Sequence, residues 1–198
     1  MTMETAVAGA PDGYPLRFDV EYPERLSRWL ILVKWLLAIP HFLILYALMG
    51  VANVIIFIAF FAILFTRRFP RGLFDFVVNI YRWNANVSAY VGLLRDEYPP
   101  FSWEAGKYPV TYEVDYPEQL NRWLPLVKWL LALPHYIVLM LLLIVAVLLW
   151  IVAWFAILFT GRFPQGIFNF IVGVTRWSYR VNAYVYFLRD DYPPFSLK

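Results

Sequence analysis

Apolar residues run through this chain in long blocks separated by shorter polar stretches, and the same order of blocks occurs twice. Each copy opens with strict alternation. Leu16, Phe18, Val20 and Tyr22 are spaced by Arg17, Asp19 and Glu21, and Val110, Tyr112, Val114 and Tyr116 by Thr111, Glu113 and Asp115. Period two predicts a short half-buried strand, or else an extended interfacial linker, and the two strands of the two copies are suited to pairing with each other. Pro23 and Pro117 then stand where a helix would begin, because a missing N–H costs nothing in the first turn. Glu24 and Arg28, like Glu118 and Arg122, are spaced i,i+4 in the favourable direction. Leu26, Trp29, Leu30, Val33 and Leu37 share one helical face while Arg25, Arg28 and Lys34 fall outside it, which predicts a helix lying at headgroup depth. The pairs Pro40-His41 and Pro134-His135 predict a kink or break, since an interior proline removes a hydrogen bond and crowds the preceding turn.

After each Pro-His pair comes the strongest signal in the chain. Residues 42–65 and 136–159 are about two dozen in number without a formal charge, enough at roughly 1.5 Å per residue to cross a hydrocarbon core of about 30 Å. Short polar loops, residues 66–72 and 160–166, separate them from second helices predicted over residues 73–94 and 167–188. On the first of these Asp75, Asn79, Arg82 and Asn86 form one narrow polar stripe, matched by Asn169, Gly173, Arg176 and Arg180 on the second. Such a helix either spans a bilayer with its stripe turned toward other helices or floats at the interface. We read it as spanning, because the apolar arc is wide and intramembrane charges normally face a bundle interior.

The repetition is literal. YPLRFDVEYPERLSRWLILVKWLLAIPH returns as YPVTYEVDYPEQLNRWLPLVKWLLALPH at an offset of 94 residues, and the same offset carries FAILFTRRFPRGLFDF onto FAILFTGRFPQGIFNF without a gap. The chain therefore divides into a flexible tail (1–13), a first membrane repeat (14–102), a joint (103–107) and a second repeat (108–198). The expected fold is an all-α integral membrane protein. It has four transmembrane helices from two tandem parallel repeats of two spans, each preceded by an extended segment and an interfacial helix, with the repeats related by an axis along the membrane normal.

Composition narrows the function classes. The 198 residues are 62% apolar, 20% aromatic and 16% charged, with a net charge of +3. Soluble domains average nearer half apolar and a quarter charged. With no cysteine, disulfides, thiolate metal sites and Cys nucleophiles are excluded. The basic residues are spread along the chain, so no tract argues for nucleic acid. The first residues lack the pattern of a cleaved secretion signal. Lys and Arg counts put the termini on the cytoplasmic side of a bacterial inner membrane, although the TRRFPRG loop argues the other way. No P-loop, GxGxxG, HExxH or GxSxG motif is present, and no enzyme is expected.

Three constellations carry candidate chemistry. His41 and His135 occupy equivalent positions, and two facing imidazoles suit a haem iron, a single one a chlorophyll-type pigment; the plainer role is a hydrogen bond at a helix kink. Asp75, Arg82, Arg176 and Arg180 place three cations against one carboxylate, which suits an anion or a lipid headgroup; the plainer role is arginines snorkelling to phosphates. The repeated ending, residues 95–102 and 189–196, is a stiff Pro-Pro contact element or a helix stop anchored by Tyr and Phe.

The signature FTxRFPxGxFxF followed by RW, AY and RD-[ED]-YPPFS, with YPE-x-L-x-RW and VKWLLA-[IL]-PH upstream, resembles a bacterial integral-membrane family known only as a domain of unknown function. The resemblance covers residues 14–196, once per repeat. It implies a small multi-pass bacterial membrane protein, often with duplicated modules, and no established activity or catalytic residues. Gly161 in place of Arg67, and Asn169 in place of Asp75, break the symmetry of any ionic site. The role expected is a structural or accessory subunit that packs against membrane lipids and other subunits of a larger complex, without a resident cofactor. The runner-up is a small transporter or channel for anions or lipids.

Overall fold

The computed structural model describes residues 13–198; the tail expected over residues 1–13 lies, apart from Gly13, outside them. Two strands and six helices follow one another in a repeated order among the described residues. The first repeat holds β1 (Leu16–Val20), α1 (Leu30–Leu37), α2 (Ile39–Thr66) and α3 (Arg71–Val91); the second holds β2 (Val110–Val114), α4 (Leu124–Leu131), α5 (Leu133–Thr160) and α6 (Gln165–Val185). The fold is thus mostly helical and tandemly repeated. The all-α expectation is corrected by a true sheet: β1 bonds antiparallel to β2, with Leu16 opposite Val114, Phe18 opposite Tyr112 and Val20 opposite Val110.

This register has a consequence for the whole molecule. Phe18 and Tyr112 are the same position of the two repeats, and they face each other at the middle of the pair. Antiparallel neighbours that bury the same face are related by a half-turn about an axis normal to the sheet, so the repeats form an isologous pair within one chain. Reciprocal contacts follow it throughout. Tyr22 donates to the Phe163 carbonyl and Tyr116 to that of Phe69; the Leu26 amide bonds the Gly161 carbonyl and the Leu120 amide that of Arg67, both at 2.8 Å.

The strands lie along the helices of the opposite repeat. Tyr14, just before β1, donates to the Asp191 carbonyl beyond the end of α6; Phe18 packs on Tyr179 near its middle, and Tyr22 on Phe168 at its start. β2 runs along α3 in the same way, from Tyr108 at the Glu97 carbonyl to Tyr116 at Phe74. Helix α3 in turn shows Trp83, Val87 and Tyr90 to α1 and α2, roughly opposite its strand-facing Phe74 and Tyr81. Three layers result: the strand pair, then α3 and α6, then the paired helices α1–α2 and α4–α5.

Helices α1 and α4 start about seven residues later than the prolines suggest. The amides that would open the expected helix are taken by tertiary acceptors: Leu26 by Gly161, Ser27 by the Asp96 carboxylate, and Asn121 by Asp190. Neither Glu24–Arg28 nor Glu118–Arg122 forms an ion pair among the described residues. The break expected near Pro40 is present but slight. Ala38 alone interrupts the helix, because Pro40 has no N–H to give to Leu36, while the Ala38 and Phe42 amides keep their bonds to Lys34 and Ala38.

Two helical runs, Ile39–Thr66 and Leu124–Thr160, are long and apolar enough to cross a membrane. Only 28% and 11% of their most apolar stretches is buried. The buried side of α2 combines His41, Ala52 and Ala59 with Leu45, Ile55, Ile56 and Ile63, while Leu43, Tyr46, Phe57 and Phe65 face outward.

Gly173 tests the packing of the chain's end. A Cβ there would lie 2.7 Å from the Leu197 carbonyl oxygen. Gly173→Val is expected to push the terminal segment off α6 at a cost of about 2 kcal/mol, roughly 4–8 °C in Tm. Gly166→Ala, in open space within the same helix, should hold or raise Tm. Thermal unfolding in detergent distinguishes the two.

Candidate functional site

The polar groups inside this molecule fall into three duplicated sets. In the first, the arginine stripe binds main chain. Arg82 donates from Nε to the Tyr112 carbonyl (3.0 Å) and through its terminal nitrogen to Asn79 (2.7 Å) and the Trp103 carbonyl (3.0 Å). Arg176 gives the same bonds to Phe18 (2.7 Å) and Leu197 (3.0 Å), and pairs with Asp19 at 2.9 Å. A guanidinium with five donors in a fixed fork suits this task, since a carbonyl on a strand edge and one on a passing tail are held together. Arg180 is buried with its guanidinium over the Tyr14 ring at 5.4 Å. Asp75 is exposed at the start of α3 and does not join the arginines. The stripe expected to meet an anion is therefore divided: Arg82 and Arg176 hold strands, Arg180 backs a tyrosine, and Asp75 faces outward.

The second set is aromatic. Trp83 donates its indole N–H to His41 Nδ1 at 3.2 Å, and Phe101 stacks on the imidazole with centroids 4.0 Å apart. Trp177, His135 and Phe195 repeat this at 3.1 and 4.0 Å. A ring that accepts at Nδ1 carries its proton on Nε2 when neutral. Both histidines are wholly buried, and their ring contacts come from their own repeat, so the structure does not bring the two imidazoles together. A haem or pigment metal would need Nε2, which is shut off from solvent in both. Phe101 and Phe195 belong to the PPFS endings, which here fold back over the helix break; Tyr98 and Tyr192 bond the Leu37 and Leu131 carbonyls nearby.

The third set centres on Lys34, which lies off the exposed face of Trp29, Val33 and Leu37, as the pattern indicates, and turns into the interior. Lys34 is 1% exposed. Its ammonium pairs with Asp96 at 2.8 Å, donates to the Arg95 carbonyl at 2.6 Å and lies 5.0 Å from the Tyr90 ring centre, so each N–H meets an acceptor or a ring face. Lys128 repeats the arrangement with Asp190, the Arg189 carbonyl and Tyr184. Arg95 completes it by reaching the Glu21 carbonyl and clasping Glu97; this guanidinium holds the Glu97 carboxyl below the usual carboxylate range. Lys34 stands at the spacing of Ile31, Ala38 and His41, all of them on the buried side.

Chemically these groups bind carbonyls and one another. Among the described residues no cluster of three or more His, Asp or Glu side chains is placed to hold a metal ion.

A family model described as a domain of unknown function (DUF4389) matches residues 28–102 and 123–196, once in each repeat. No curated protein and no solved structure matches the chain.

Cutting the buried ion pair tests its weight. Lys34→Met, which leaves the Asp96 carboxylate without its partner, is expected to lower stability by about 3 kcal/mol. The double variant Lys34→Met/Asp96→Asn should recover more than half of that loss in thermal unfolding, since neither charge is then stranded.

Proposed function

We propose that this chain, which belongs to the DUF4389 family, is a non-catalytic membrane protein that lies flat in one leaflet and serves as an accessory subunit of a larger bacterial membrane assembly. One observation carries the reading. Across residues 29–66 and 123–160 the only formal charges, Lys34 and Lys128, point inward and are 1% exposed, while Trp29, Leu43, Tyr46, Phe57 and Phe65, with Ile137, Met140, Leu148 and Phe159, point out. Water drives the opposite arrangement, and an unbroken apolar surface of this length marks contact with lipid or protein. Acyl chains are the solvent in which polar groups turn inward and large apolar groups turn outward.

The layering supports a flat orientation over four crossing helices. α2 packs along α3, and the strand pair lies along α3 and α6, so if one of these crossed the bilayer all would. The middle of the strand pair would then sit at the bilayer midplane with Asp19 70% and Arg17 46% exposed. Placing such charges there costs about 2.5–3.5 kcal/mol each even on the mildest scale. Laid flat, the same molecule keeps every one of them in water. The internal axis, normal to the sheet, then becomes the membrane normal, and α2 and α5 enter the lipid to equal depth. Trp29, Trp35, Trp123 and Trp129 are exposed, and their rings favour the depth at which lipid and water meet. In the flat orientation the outer face of the strand pair, with Arg17, Asp19, Glu113 and Asp115, is the surface left for other subunits on the cytoplasmic side. A transporter or channel draws no support from Arg82 and Arg176, whose donors are bound to strand carbonyls.

The chain has no cysteine, so single thiols report its topology directly. Arg17→Cys, Arg68→Cys and Arg162→Cys are expected to react with an impermeant maleimide from one and the same side of sealed vesicles. Opposite-side labelling of positions 68 and 162, the far ends of α2 and α5, would contradict the flat orientation. Recovery of the chain in detergent-free buffer would contradict the membrane reading itself.

A further inference from the structure

Two clefts lie at the ends of the apolar layer, where arginine side chains gather that no ion pair described above engages. The first, about 530 Å³, is lined by Arg25, Leu26, Arg28, Thr160, Gly161 and Arg162. The second, about 440 Å³, is its counterpart across the internal axis, lined by Arg67, Gln119, Leu120, Asn121, Arg122 and Trp123. Both fall in the size range of small-molecule sites. We propose that these clefts are a symmetric pair of binding sites for the phosphate headgroups of anionic membrane phospholipids, an inference that rests on the membrane reading.

Three observations carry it. First, the lining cations are unspent: among the described residues Arg25, Arg28, Arg67, Arg122 and Arg162 make no side-chain ion pair, and the Arg122 Nε is shut off from solvent without an acceptor. The more enclosed arginines Arg82, Arg95 and Arg176 are, by contrast, bound to carbonyls or carboxylates, while Arg25, Arg28, Arg67 and Arg162 stand exposed around the clefts. A cleft lined by guanidinium groups that have no carboxylate of their own suits an anion with paired oxygens, which phosphate supplies. Second, the floor of each cleft is rigid. The Leu26–Gly161 and Leu120–Arg67 backbone bonds tie the segment before each paired helix to the turn after α5 or α2. Arg67 caps α2 in the left-handed region (φ 59°), where its counterpart is Gly161 (φ 69°). A backbone conformation that favours glycine is held by an arginine at the one of the two positions whose partner segment carries Gln119 in place of Arg25. The charge missing from one wall of the second cleft is thus supplied by the other. Third, each cleft borders the lipid-facing surface: Trp29 and Phe159 flank the first, 77% and 71% exposed, and Trp123 and Phe65 the second, 66% and 79% exposed. A phospholipid whose chains lie along α2 or α5 brings its phosphate to this depth, whereas a free anion has no use for the aromatic rim.

Native mass spectrometry of the full chain in detergent, titrated with phosphatidylglycerol, phosphatidylcholine or inorganic phosphate, tests the proposal, with thermal unfolding run beside it. Expected are two phosphatidylglycerol molecules retained per chain, at least about tenfold tighter than phosphatidylcholine, as loss of charge-assisted contacts implies. Arg28→Gln/Arg162→Gln should remove one of the two. Arg67→Gly should remove the other while raising Tm, because glycine relaxes the left-handed turn; binding and stability then move in opposite directions and misfolding is not the cause. Equal retention of both lipids, or lipid binding unchanged in both variants, overturns the inference and leaves the membrane reading standing. Inorganic phosphate reproducing the Tm gain at equal concentration would assign the clefts to a free anion and overturn the lipid source. A chain that sheds its micelle and stays monodisperse fails at the earlier step, the membrane reading.

Discussion

The antiparallel bonding of β1 to β2 is the constraint on which everything else in this molecule depends. It joins position 18 of one repeat to the same position of the other, and so fixes the internal two-fold axis normal to the sheet. Each strand then lies on the helix of the opposite repeat, held by Arg176 at Phe18 and by Arg82 at Tyr112. Neither repeat completes its own core. An axis in that direction also puts α2 and α5 at one height, so that two helices apolar on their outer sides form one continuous surface.

The interior obeys a logic suited to an apolar solvent. Lysine, histidine and arginine occupy buried positions, each matched by a carbonyl, a carboxylate, an indole or a ring face, while tryptophan, leucine and phenylalanine are turned outward. In water a helix with Lys34 inside and Trp35 outside would gain by turning over. In lipid the same arrangement is the stable one, because an unmatched ammonium costs far more there than an exposed ring. The duplicated Lys–Asp and Trp–His contacts fasten α1 and α2, and α4 and α5, to the middle layer through buried polar bonds.

Much of the fold was legible in the sequence. The offset of 94 residues gave the two units, the alternation at Leu16 and Val110 gave the strands, and the proline–histidine pairs gave the helix breaks. The apolar face of α1 that carries Trp29, Val33 and Leu37 is exposed, and Lys34 lies off it as the pattern indicates, but turned into the interior. The start expected at Pro23, from proline's fit to a first turn, is not kept, and α1 begins at Leu30. The amides after Pro23 are claimed by Gly161 and Asp96 from distant sequence, which no local pattern records. The polar stripe expected on α3 and α6 is divided in the structure, with Asp75 exposed and Arg82, Arg176 and Arg180 turned to separate partners. Those partners were not legible, because main-chain carbonyls of the opposite repeat carry no sequence signature.

The account as a whole depends on helices that lie in the plane of the membrane. Polarised infrared spectroscopy of the protein in oriented bilayers measures this directly, through the dichroism of the helical amide I band. The flat arrangement predicts helix axes parallel to the bilayer surface, with the strand pair in the same plane. Helix axes aligned with the bilayer normal would contradict it.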